Sequence, residues 1–272
     1  MPNQDLAARF RQLHAPGQLL VLPNAWDAGS ARLIESLGAK AIATTSAGVC
    51  WARGYADGKS LPLEVIVASV AEIVRVTSLP VSADVEAGYS AEPARVAEIV
   101  RAVIDAGAVG INLEDGRGSP DLLAAKIAAV KQAARGAGVD LFVNARTDVY
   151  LKQLVAPERA LEETLARARQ YRDAGCDGLF VPALSRREAV EAIVSGVALP
   201  LNLLLLPNLA PLAELRAWGV RRVSAGSAVA SAALGAARSA VKQLLEEGGY
   251  ARLYTDSVAY LEMNALFPSS GK

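Results

Sequence analysis

The sequence contains few of the side chains that carry most nucleophilic, redox and zinc chemistry in enzymes. Its 272 residues include one histidine and two cysteines. Cys50 and Cys176 lie far apart without C-x-x-C spacing, which indicates reduced thiols rather than a disulfide framework or a zinc site. His14 falls in a polar N-terminal segment, where we expect a solvated residue at a helix end. Catalysis by histidine is therefore excluded.

The sequence also lacks an excess of charge of either sign and any long apolar run. Lysine plus arginine and aspartate plus glutamate number 28 each, and no basic stretch is interleaved with aromatic residues. This pattern excludes nucleic acid and an anionic membrane surface as partners. No apolar segment approaches the length of a bilayer span, and the N-terminus lacks an apolar signal segment. We expect a cytoplasmic protein that binds a small molecule.

Short apolar segments alternate with longer amphipathic ones along the chain, and 52% of the residues are hydrophobic. The helix patterns DAGSARLIESLG and EPARVAEIVRAVIDAG each end in the glycine that commonly closes a helix. A doubly wound open sheet is the competing fold, but no G-x-G-x-x-G follows the first strand. The pattern predicts an α/β fold, a (β/α)8 TIM barrel forming a single domain over residues 1–272. The predicted strands cover residues 18–24, 40–46, 80–86, 108–115, 141–147, 177–183, 200–206 and 220–226.

Polar side chains occupy alternate positions where several of the predicted strands end. The stretch PVSADVEAGY places Asp84 and Glu86 two residues apart, so both face one side of an extended strand. Glu114 and Arg146 hold similar positions at the ends of the fourth and fifth strands. Catalytic groups of a barrel collect at the C-terminal ends of its strands. We therefore expect these polar faces to converge at one mouth.

Three carboxylates at that mouth, with one arginine among them, repel one another unless a further cation lies between them. No histidine or cysteine occurs among the strand-end groups, so a hard divalent cation bound through oxygen is the fitting partner. We predict Mg²⁺, with Mn²⁺ able to replace it. The planar, bidentate guanidinium of Arg146 can anchor a substrate carboxylate, pair with one of the acids, or do both.

Five motifs occur in order along the chain: LPNAWDAGSARLIESLGAKAIATTSAG, GYADGKSL, SADVEAGY, INLEDG and NARTD. Together they resemble the isocitrate lyase and phosphoenolpyruvate mutase superfamily, and the resemblance extends from about residue 20 to about residue 247. Members of that superfamily are Mg²⁺-dependent barrels that act on small 2-oxo or 2-hydroxy acids through an enolate-like species. The resemblance therefore implies an enzyme of the carbon–carbon lyase class.

The resemblance also implies roles for individual residues. Asp84 would bind the metal directly, and the other members of the metal set would hold its water ligands. The implied metal set is Asp84, Glu86, Glu114 and Asp57. The implied substrate-binding residues are Ser46, Ala47 and Gly48, partly through backbone N–H groups, together with Arg146 and Asn202. The implied catalytic residues are Arg146, Glu114 and Asp57.

One loop departs from the superfamily pattern. The lyases carry a K-K-C-G-H or K-R-C-G-H sequence after strand four, whose cysteine serves as the acid, and the mutase has a lysine-threonine-asparagine loop there. The present chain has the short EDGRGSPDLLAAK, with neither set. Cys50 follows strand two and cannot simply replace that cysteine. A decarboxylation needs less, because CO₂ leaves and the enolate can take its proton from water.

The residues leave three functions open. The first is an Mg²⁺-dependent carbon–carbon lyase that acts on small 2-hydroxy or 2-oxo di- or tricarboxylates by retro-aldol cleavage or decarboxylation. The second is carbon–phosphorus bond cleavage, as in phosphonopyruvate hydrolysis. The third is a 2-oxo acid binding protein that has lost turnover, and the retained acids and Arg146 weigh against it.

The segment at 248–272 is predicted to be a C-terminal helical extension used in oligomerisation. Its stretch YARLYTDSVAYLEMNALF is amphipathic, with leucines too apolar to leave in water. It can dock onto its own barrel or onto another subunit. In the resembled superfamily the terminal helices are exchanged between subunits, which implies a homo-oligomer, a dimer or tetramer with a swapped C-terminal helix.

Overall fold

The computed structural model describes residues 2–58 and 61–267. The strands of this part of the chain form one parallel sheet in the order β1-β9-β8-β7-β6-β5-β4-β3-β2. They are β1 Leu20–Leu22, β2 Asn24–Ala25, β3 Ile42–Thr44, β4 Val81–Asp84, β5 Gly110–Glu114, β6 Phe142–Arg146, β7 Gly178–Phe180, β8 Leu201–Leu204 and β9 Arg222–Ser224.

The two end strands of this sheet, β1 and β2, are consecutive in sequence and flank Pro23. Proline has no N–H to donate, so the strand is interrupted at this residue. β1 pairs with β9 and β2 pairs with β3, so the two segments act as one barrel strand that closes the ring. The predicted (β/α)8 barrel is therefore confirmed, and each predicted strand window contains an observed strand.

Helices follow the strands and surround the barrel. The α-helices in the described residues are α1 Pro2–Gln12, α2 Ala28–Ser36, α3 Ser46–Ala52, α4 Leu63–Val76, α5 Pro93–Asp105, α6 Pro120–Gly136, α7 Ala160–Asp173, α8 Arg187–Gly196, α9 Leu212–Ala217, α10 Ala228–Lys242 and α11 Tyr260–Ala265. Short 3₁₀ segments cover Pro157–Arg159 and Ala251–Leu253, and a π-helical segment covers Gln243–Glu247. Side-chain caps fix several starts: Ser119 Oγ accepts from Leu122 N at α6.

The strands and helices share an apolar layer that holds the barrel rigid. Ile111 and Leu113 of β5 and Val143 of β6 are fully buried. α5 buries Val96, Val100 and neighbouring apolar side chains against this layer. Full burial of one such side chain contributes about 1.5–3 kcal/mol to folding. The layer therefore fixes the strand ends on which the mouth residues lie.

At the N-terminal end of the barrel, α1 closes the opening with an aromatic side chain. Phe10 is fully buried and packs edge-on to Phe142, with 5.5 Å between ring centroids. A Cβ on Gly110 would lie 2.7 Å from Phe10 Cε1, so β5 requires glycine there. His14 stacks on Phe142 at 4.2 Å and is buried, so its expected solvated position is wrong. Its burial depends on how α1 docks beneath the barrel, which local sequence does not show.

The outer face of β1 has no helix over it in the part of the chain that the structure describes. Val21 is 42% exposed although it lies on a barrel strand, and nearby Leu37 is 78% exposed. A groove of about 560 Å³ lies between β1 and the end of α2. The helix that follows β9, α10, packs against β2 instead.

Exposed apolar side chains continue through the C-terminal segments. They include Leu234, Val241, Leu244, Leu245, Tyr254 and Leu261. The predicted extension at 248–272 contains the short segment Ala251–Leu253 and α11, and residues 268–272 lie outside the described residues. No helix in the described ranges combines the length and apolar character needed to cross a membrane.

Candidate functional site

A pocket of about 230 Å³ opens at the C-terminal ends of the strands. Five of the residues proposed from the sequence line it: Ser46, Ala47, Asp57, Asp84 and Arg146. They come from segments that follow β3, from the end of β4 and from the end of β6. The polar ends of these strands therefore converge at one mouth of the barrel.

The turn from β3 into α3 brings backbone to the pocket. Thr45 caps α3, and its side chain accepts a hydrogen bond from Gly48 N at 3.5 Å. Ser46 N donates to Asp84 Oδ2 at 3.2 Å. Gly48 does not line the pocket, and a Cβ there would lie 2.8 Å from Trp26 Cβ, so its glycine serves close packing. Ser46 and Ala47 are thus the members of the predicted backbone set that face the pocket.

Asp84 is held at the pocket wall by its backbone and by one of its carboxylate oxygens. Its N–H donates to Thr44 Oγ1 at 2.8 Å, and its Oδ2 accepts from Ser46 N. Its Oδ1 is buried and has no hydrogen-bond partner in the described residues. Because an unpaired buried carboxylate oxygen is costly, this atom is suited to a ligand that supplies positive charge.

Glu86 lies in the turn after β4 and completes an acidic cluster. Its backbone has φ of 49°, in the left-handed region that non-glycine residues seldom adopt. Its Oε1 is buried without a hydrogen-bond partner in the described residues, and Cys50, Asp57 and Glu86 each place one potential ligand atom within 4.8 Å of the others. Burial and the charges of Asp84 and Asp57 raise the pKa of Glu86 to about 7.

Cys50, which the sequence did not allow as a simple replacement for the loop cysteine of the lyases, belongs to this cluster. Burial, with the negative charges of Asp57 and Glu86, raises the pKa of its thiol to about 11. The thiol is therefore neutral near pH 7 when the carboxylates carry their charges. The oxygen atoms of the acids remain the charged ligands at this wall of the pocket.

Glu114 is paired with cationic side chains. Its Oε2 lies 2.9 Å from Arg146 Nη1, and its Oε1 lies 3.7 Å from Lys152 Nζ. Lys152 Nζ also lies 2.6 Å from Asp148 Oδ2. Burial raises the pKa of Glu114 to about 7, and Arg146 acts against that shift. Glu114 does not line the pocket but contacts the arginine that does.

Arg146 both pairs with acids and faces the pocket, as the sequence allowed. Its Nε donates to Asp148 Oδ1 at 2.7 Å, its Nη1 meets Glu114, and its guanidinium lies 5.7 Å from the Phe180 ring centroid. Behind it, Asp115 Oδ1 accepts from Asp148 N at 2.9 Å. These contacts fix the guanidinium, so little side-chain entropy is lost when it binds an anion.

Asn202 lies beneath the pocket rather than in its lining. It is almost fully buried, and its Oδ1 accepts from Ser224 Oγ at 3.0 Å. Sequence reasoning gave no role to Asn24, Asn112, Phe180 or Ser224, which do line the pocket. Their signal in the sequence is polarity or an aromatic ring at alternate positions of predicted strands, which is weak without the closed barrel.

The donor set at the mouth fits a hard divalent cation. Asp84 Oδ1 and Glu86 Oε1 are buried carboxylate oxygens without a partner in the described residues, and Asp57 is close to Glu86. A third buried carboxylate oxygen, Asp148 Oδ2, differs from them because Lys152 Nζ lies 2.6 Å away. Such oxygen ligands suit Mg²⁺, Ca²⁺ and Mn²⁺. Burial, and after it the repulsion from Asp84 and Asp57, raise the pKa of Glu86, and a bound cation would offset that repulsion.

Curated relatives resemble the chain over most of its length. An uncharacterised protein of Mycobacterium tuberculosis H37Rv is 38% identical over 260 residues, which cover 94% of this chain and 95% of that protein. An oxaloacetate decarboxylase of Pseudomonas putida KT2440 is 32% identical over 248 residues, covering 85% and 82%. The prediction of an enzyme of the lyase class is confirmed at this level.

Solved structures share the same barrel. A proposed phosphonomutase from Burkholderia cenocepacia J2315 has a TM-score of 0.84 and 43% identity, covering 91% of this chain and 100% of that one. A 2,3-dimethylmalate lyase of the phosphoenolpyruvate mutase and isocitrate lyase superfamily has a TM-score of 0.83 and 27% identity, covering 96% and 94%. The family described as phosphoenolpyruvate phosphomutase matches residues 10–245. The chain therefore belongs to the phosphoenolpyruvate phosphomutase family.

Proposed function

We propose that the chain is an Mg²⁺-dependent carbon–carbon lyase for small 2-oxo or 2-hydroxy di- or tricarboxylates, with oxaloacetate decarboxylation as the first candidate. The observation that carries this proposal is that Asp84, with a carboxylate oxygen that has no partner in the described residues, and the cationic Arg146 line the same pocket. The volume of about 230 Å³ is smaller than the roughly 300–1,000 Å³ typical of sites for drug-sized ligands. A compact acid is therefore the favoured substrate class.

The chain's own residues bind and orient this acid. Arg146, already fixed by Glu114 and Asp148, would bind one substrate carboxylate with the guanidinium edge that faces the pocket. Ala47, at the start of α3, offers a backbone N–H group beside Asp84, whereas the N–H of Ser46 is already donated to Asp84 Oδ2. Donors fixed in advance stabilise the negative charge that builds on the substrate oxygen as the carbon–carbon bond breaks.

The acids at the mouth would hold Mg²⁺. Asp84 would bind it directly, and Asp57, Glu86 and Glu114 would hold its water ligands. When bound, the ion supplies Lewis-acid polarisation of the substrate's carbonyl oxygen. Within the chain, Glu114 also orients Arg146, because it occupies Nη1 of that guanidinium. Glu114 thus supports the reaction by positioning Arg146, whereas Asp57 lines the pocket itself.

Cleavage of a carbon–phosphorus bond is the second candidate, and the proposed phosphonomutase among the similar structures favours it. A phosphonate carries up to two negative charges and requires matching cations. Among the described residues that line the pocket, Arg146 is the one cationic side chain, and it is already paired with Glu114 and Asp148. This charge balance supports a dicarboxylate such as oxaloacetate, with two negative charges in all, over phosphonopyruvate, which carries up to three.

A coupled assay for 2-oxo acid release tests the proposal. Oxaloacetate, isocitrate, methylisocitrate, a dialkylmalate and phosphonopyruvate should be compared with EDTA and with added Mg²⁺. We expect turnover of a carboxylate substrate that EDTA abolishes and Mg²⁺ restores. Turnover of phosphonopyruvate alone would support the second candidate. No turnover of any of these substrates, together with stabilisation of the folded protein by the same acids, would indicate a binding protein.

We also propose that a second copy of the chain covers the open face of β1. The groove of about 560 Å³ beside Val21 and Leu37 is apolar, and the exposed leucines of α10 and of Gln243–Glu247 are apolar surface of the kind that would fill it. Exchange of these helices between two barrels would bury both surfaces, giving a dimer from which a tetramer can form.

The oligomeric state tests this arrangement. Light scattering during size-exclusion chromatography should report a dimer or tetramer for the wild type. Leu37→Asp places a charge in the groove and should shift the mass toward the monomer, whereas Glu158→Gln, at an exposed polar position outside the groove and outside the segments proposed to fill it, should not. A wild-type monomer at micromolar concentration would contradict the proposal.

A further inference from the structure

Arg222 of β9 is a fully buried arginine inside the barrel, below the pocket. Its side chain is 1% exposed, and its guanidinium lies 6.0 Å from the Phe10 ring centroid. Nη2 donates to Asn112 Oδ1 at 3.2 Å, while Nε and Nη1 have no hydrogen-bond partner in the described residues. No acid of those residues forms an ion pair with it. Burying a charge in this way is costly, so the position calls for an explanation.

The charge on Arg222 persists near neutral pH despite this burial. Burial lowers its pKa to about 9, and the negative charge of Asp84 acts against that shift. An arginine is a hydrogen-bond donor at all five of its N–H groups and has no acceptor. Whatever polar group contacts it must therefore present an oxygen.

This constraint fixes the orientation of the Asn112 amide. Asn112 Oδ1 accepts from Arg222 and also from Asn144 Nδ2 at 2.9 Å. With both bonds on the oxygen, the amide nitrogen is left as the polar atom that can face the cavity. Asn112 lines the pocket, and it is paired in register with Asp84 on the neighbouring strand. Its N–H₂ group therefore lies at the floor of the pocket beside the proposed metal ligand.

We propose that Asn112 donates a hydrogen bond from its amide nitrogen to an oxygen of the bound acid, and that Arg222 is the positioning residue that holds this amide in the donating orientation. The inference rests on the proposed function and names a contact for the same site. A cation bonded to the amide oxygen also polarises the amide, which strengthens the N–H₂ group as a donor. The burial of Arg222 then has a functional reason.

A purely structural role for Arg222 is the competing explanation. The barrel interior holds other buried polar atoms without partners in the described residues, including Ser82 Oγ and Asn202 Nδ2. If Arg222 only belongs to this interior polar cluster, its removal changes stability and leaves ligand affinity unchanged. Ligand affinity measured in folded variants therefore separates the two explanations.

The experiment is calorimetric titration of the Mg²⁺-loaded protein with oxalate, a planar dianion that mimics the enolate of a 2-oxo acid. Asn112→Ala and Arg222→Met should each weaken oxalate binding about tenfold, the net worth of one hydrogen bond to a charged group. The double variant should bind no more weakly than Asn112→Ala alone, because Arg222 acts through that amide. Ser82→Ala, an interior substitution outside this contact chain, should keep the wild-type affinity.

Two further variants keep the test decisive. Asn112→Asp retains an oxygen for Arg222 but offers no donor to the cavity, so it should fold and lose oxalate affinity. If Arg222→Met does not fold, Arg222→Lys replaces it in the double-variant comparison, because a lysine keeps the charge without the fixed fork of donors. Unchanged affinity in Asn112→Asp or in the Arg222 variant, or losses that add in full, would overturn the proposal. A wild-type protein that binds no oxalate with Mg²⁺ would instead overturn the proposed function and this contact with it.

Discussion

Burial favours the neutral form of ionisable groups at both ends of the barrel, but the mouth also brings carboxylates of like charge together. At the mouth, Glu86 and Glu114 lie among other charges, and burial raises the pKa of each to about 7. At the base, His14 lies against Phe10 and Phe142, and burial lowers its pKa to about 3. The base thus holds its one ionisable ring neutral by packing and serves the fold. The mouth keeps carboxylates whose repulsion a bound cation would relieve.

The largest expected effect of this difference is at Asp84. Asp84→Ala should lower Mg²⁺-dependent turnover on the order of a thousandfold or more, because Lewis-acid stabilisation is worth several kcal/mol. The midpoint temperature of thermal unfolding in EDTA should be unchanged or slightly higher, because the substitution removes one negative charge from an acidic cluster. Asp84→Asn, which keeps the side-chain shape, serves as the control for packing. Full turnover in either variant would disprove the metal assignment.

An aromatic side chain at each end of the barrel can be removed to separate stability from substrate binding. Phe10→Ala at the base should destabilise the fold by about 3–5 kcal/mol, the usual cost of emptying a buried phenylalanine site, with KM unchanged. Phe180→Ala at the mouth should also raise KM, because the ring lines the pocket and lies over Arg146. Chemical unfolding and steady-state kinetics measure the two quantities. Equal effects on KM would remove the distinction between the ends.

Arg146 should show a smaller effect than Asp84. Arg146→Ala should reduce kcat/KM about a hundredfold, which corresponds to roughly 3 kcal/mol for a lost charged contact. Part of any loss in stability would come from Asp148, which is buried and would lose its contact with Arg146 Nε. Asp148 would keep Lys152 as its other partner. Arg146→Lys keeps the charge but not the bidentate geometry and should recover only part of the rate. An unchanged kcat/KM would mean that Arg146 is structural.

The pH dependence of stability tests the burial of His14 at the N-terminal end of the barrel. Folded His14 stays neutral down to about pH 3, whereas the unfolded chain takes up a proton near the ordinary pKa of 6.5. The unfolded state therefore binds more protons between these values, and stability rises with pH there. The wild type should lose about 1.4 kcal/mol per pH unit below 6.5 relative to His14→Phe. Parallel stability curves for the two proteins would contradict the buried, neutral ring.

The strands of the barrel could be predicted from the sequence, but the docking of α1 could not. Alternating apolar segments were enough for the eight barrel strands, because a strand buried on both faces leaves a continuous apolar run. The docking of α1 was missed, since neither Phe10 nor His14 belongs to a pattern that reveals contact with Phe142, more than a hundred residues away. The split of the first strand follows from Pro23 and was visible in principle.

The site was predictable as a set of strand ends, and less so in its contacts. Asp84, Ser46 and Arg146 reach the pocket because strand polarity alone directs them there. The contacts of Glu114 with Arg146 and Lys152, and the buried place of Asn202, depend on which neighbour each side chain meets in the closed barrel. No local pattern encodes that choice.

Mn²⁺ binding followed by electron paramagnetic resonance shows whether the mouth of the barrel is a divalent cation site. If the mouth holds a divalent cation and the base does not, the wild type should bind one Mn²⁺ per chain that Mg²⁺ displaces. Asp84→Asn should abolish this binding, and His14→Phe should leave it intact. Absence of bound Mn²⁺ in the wild type, or full binding in Asp84→Asn, would contradict the account.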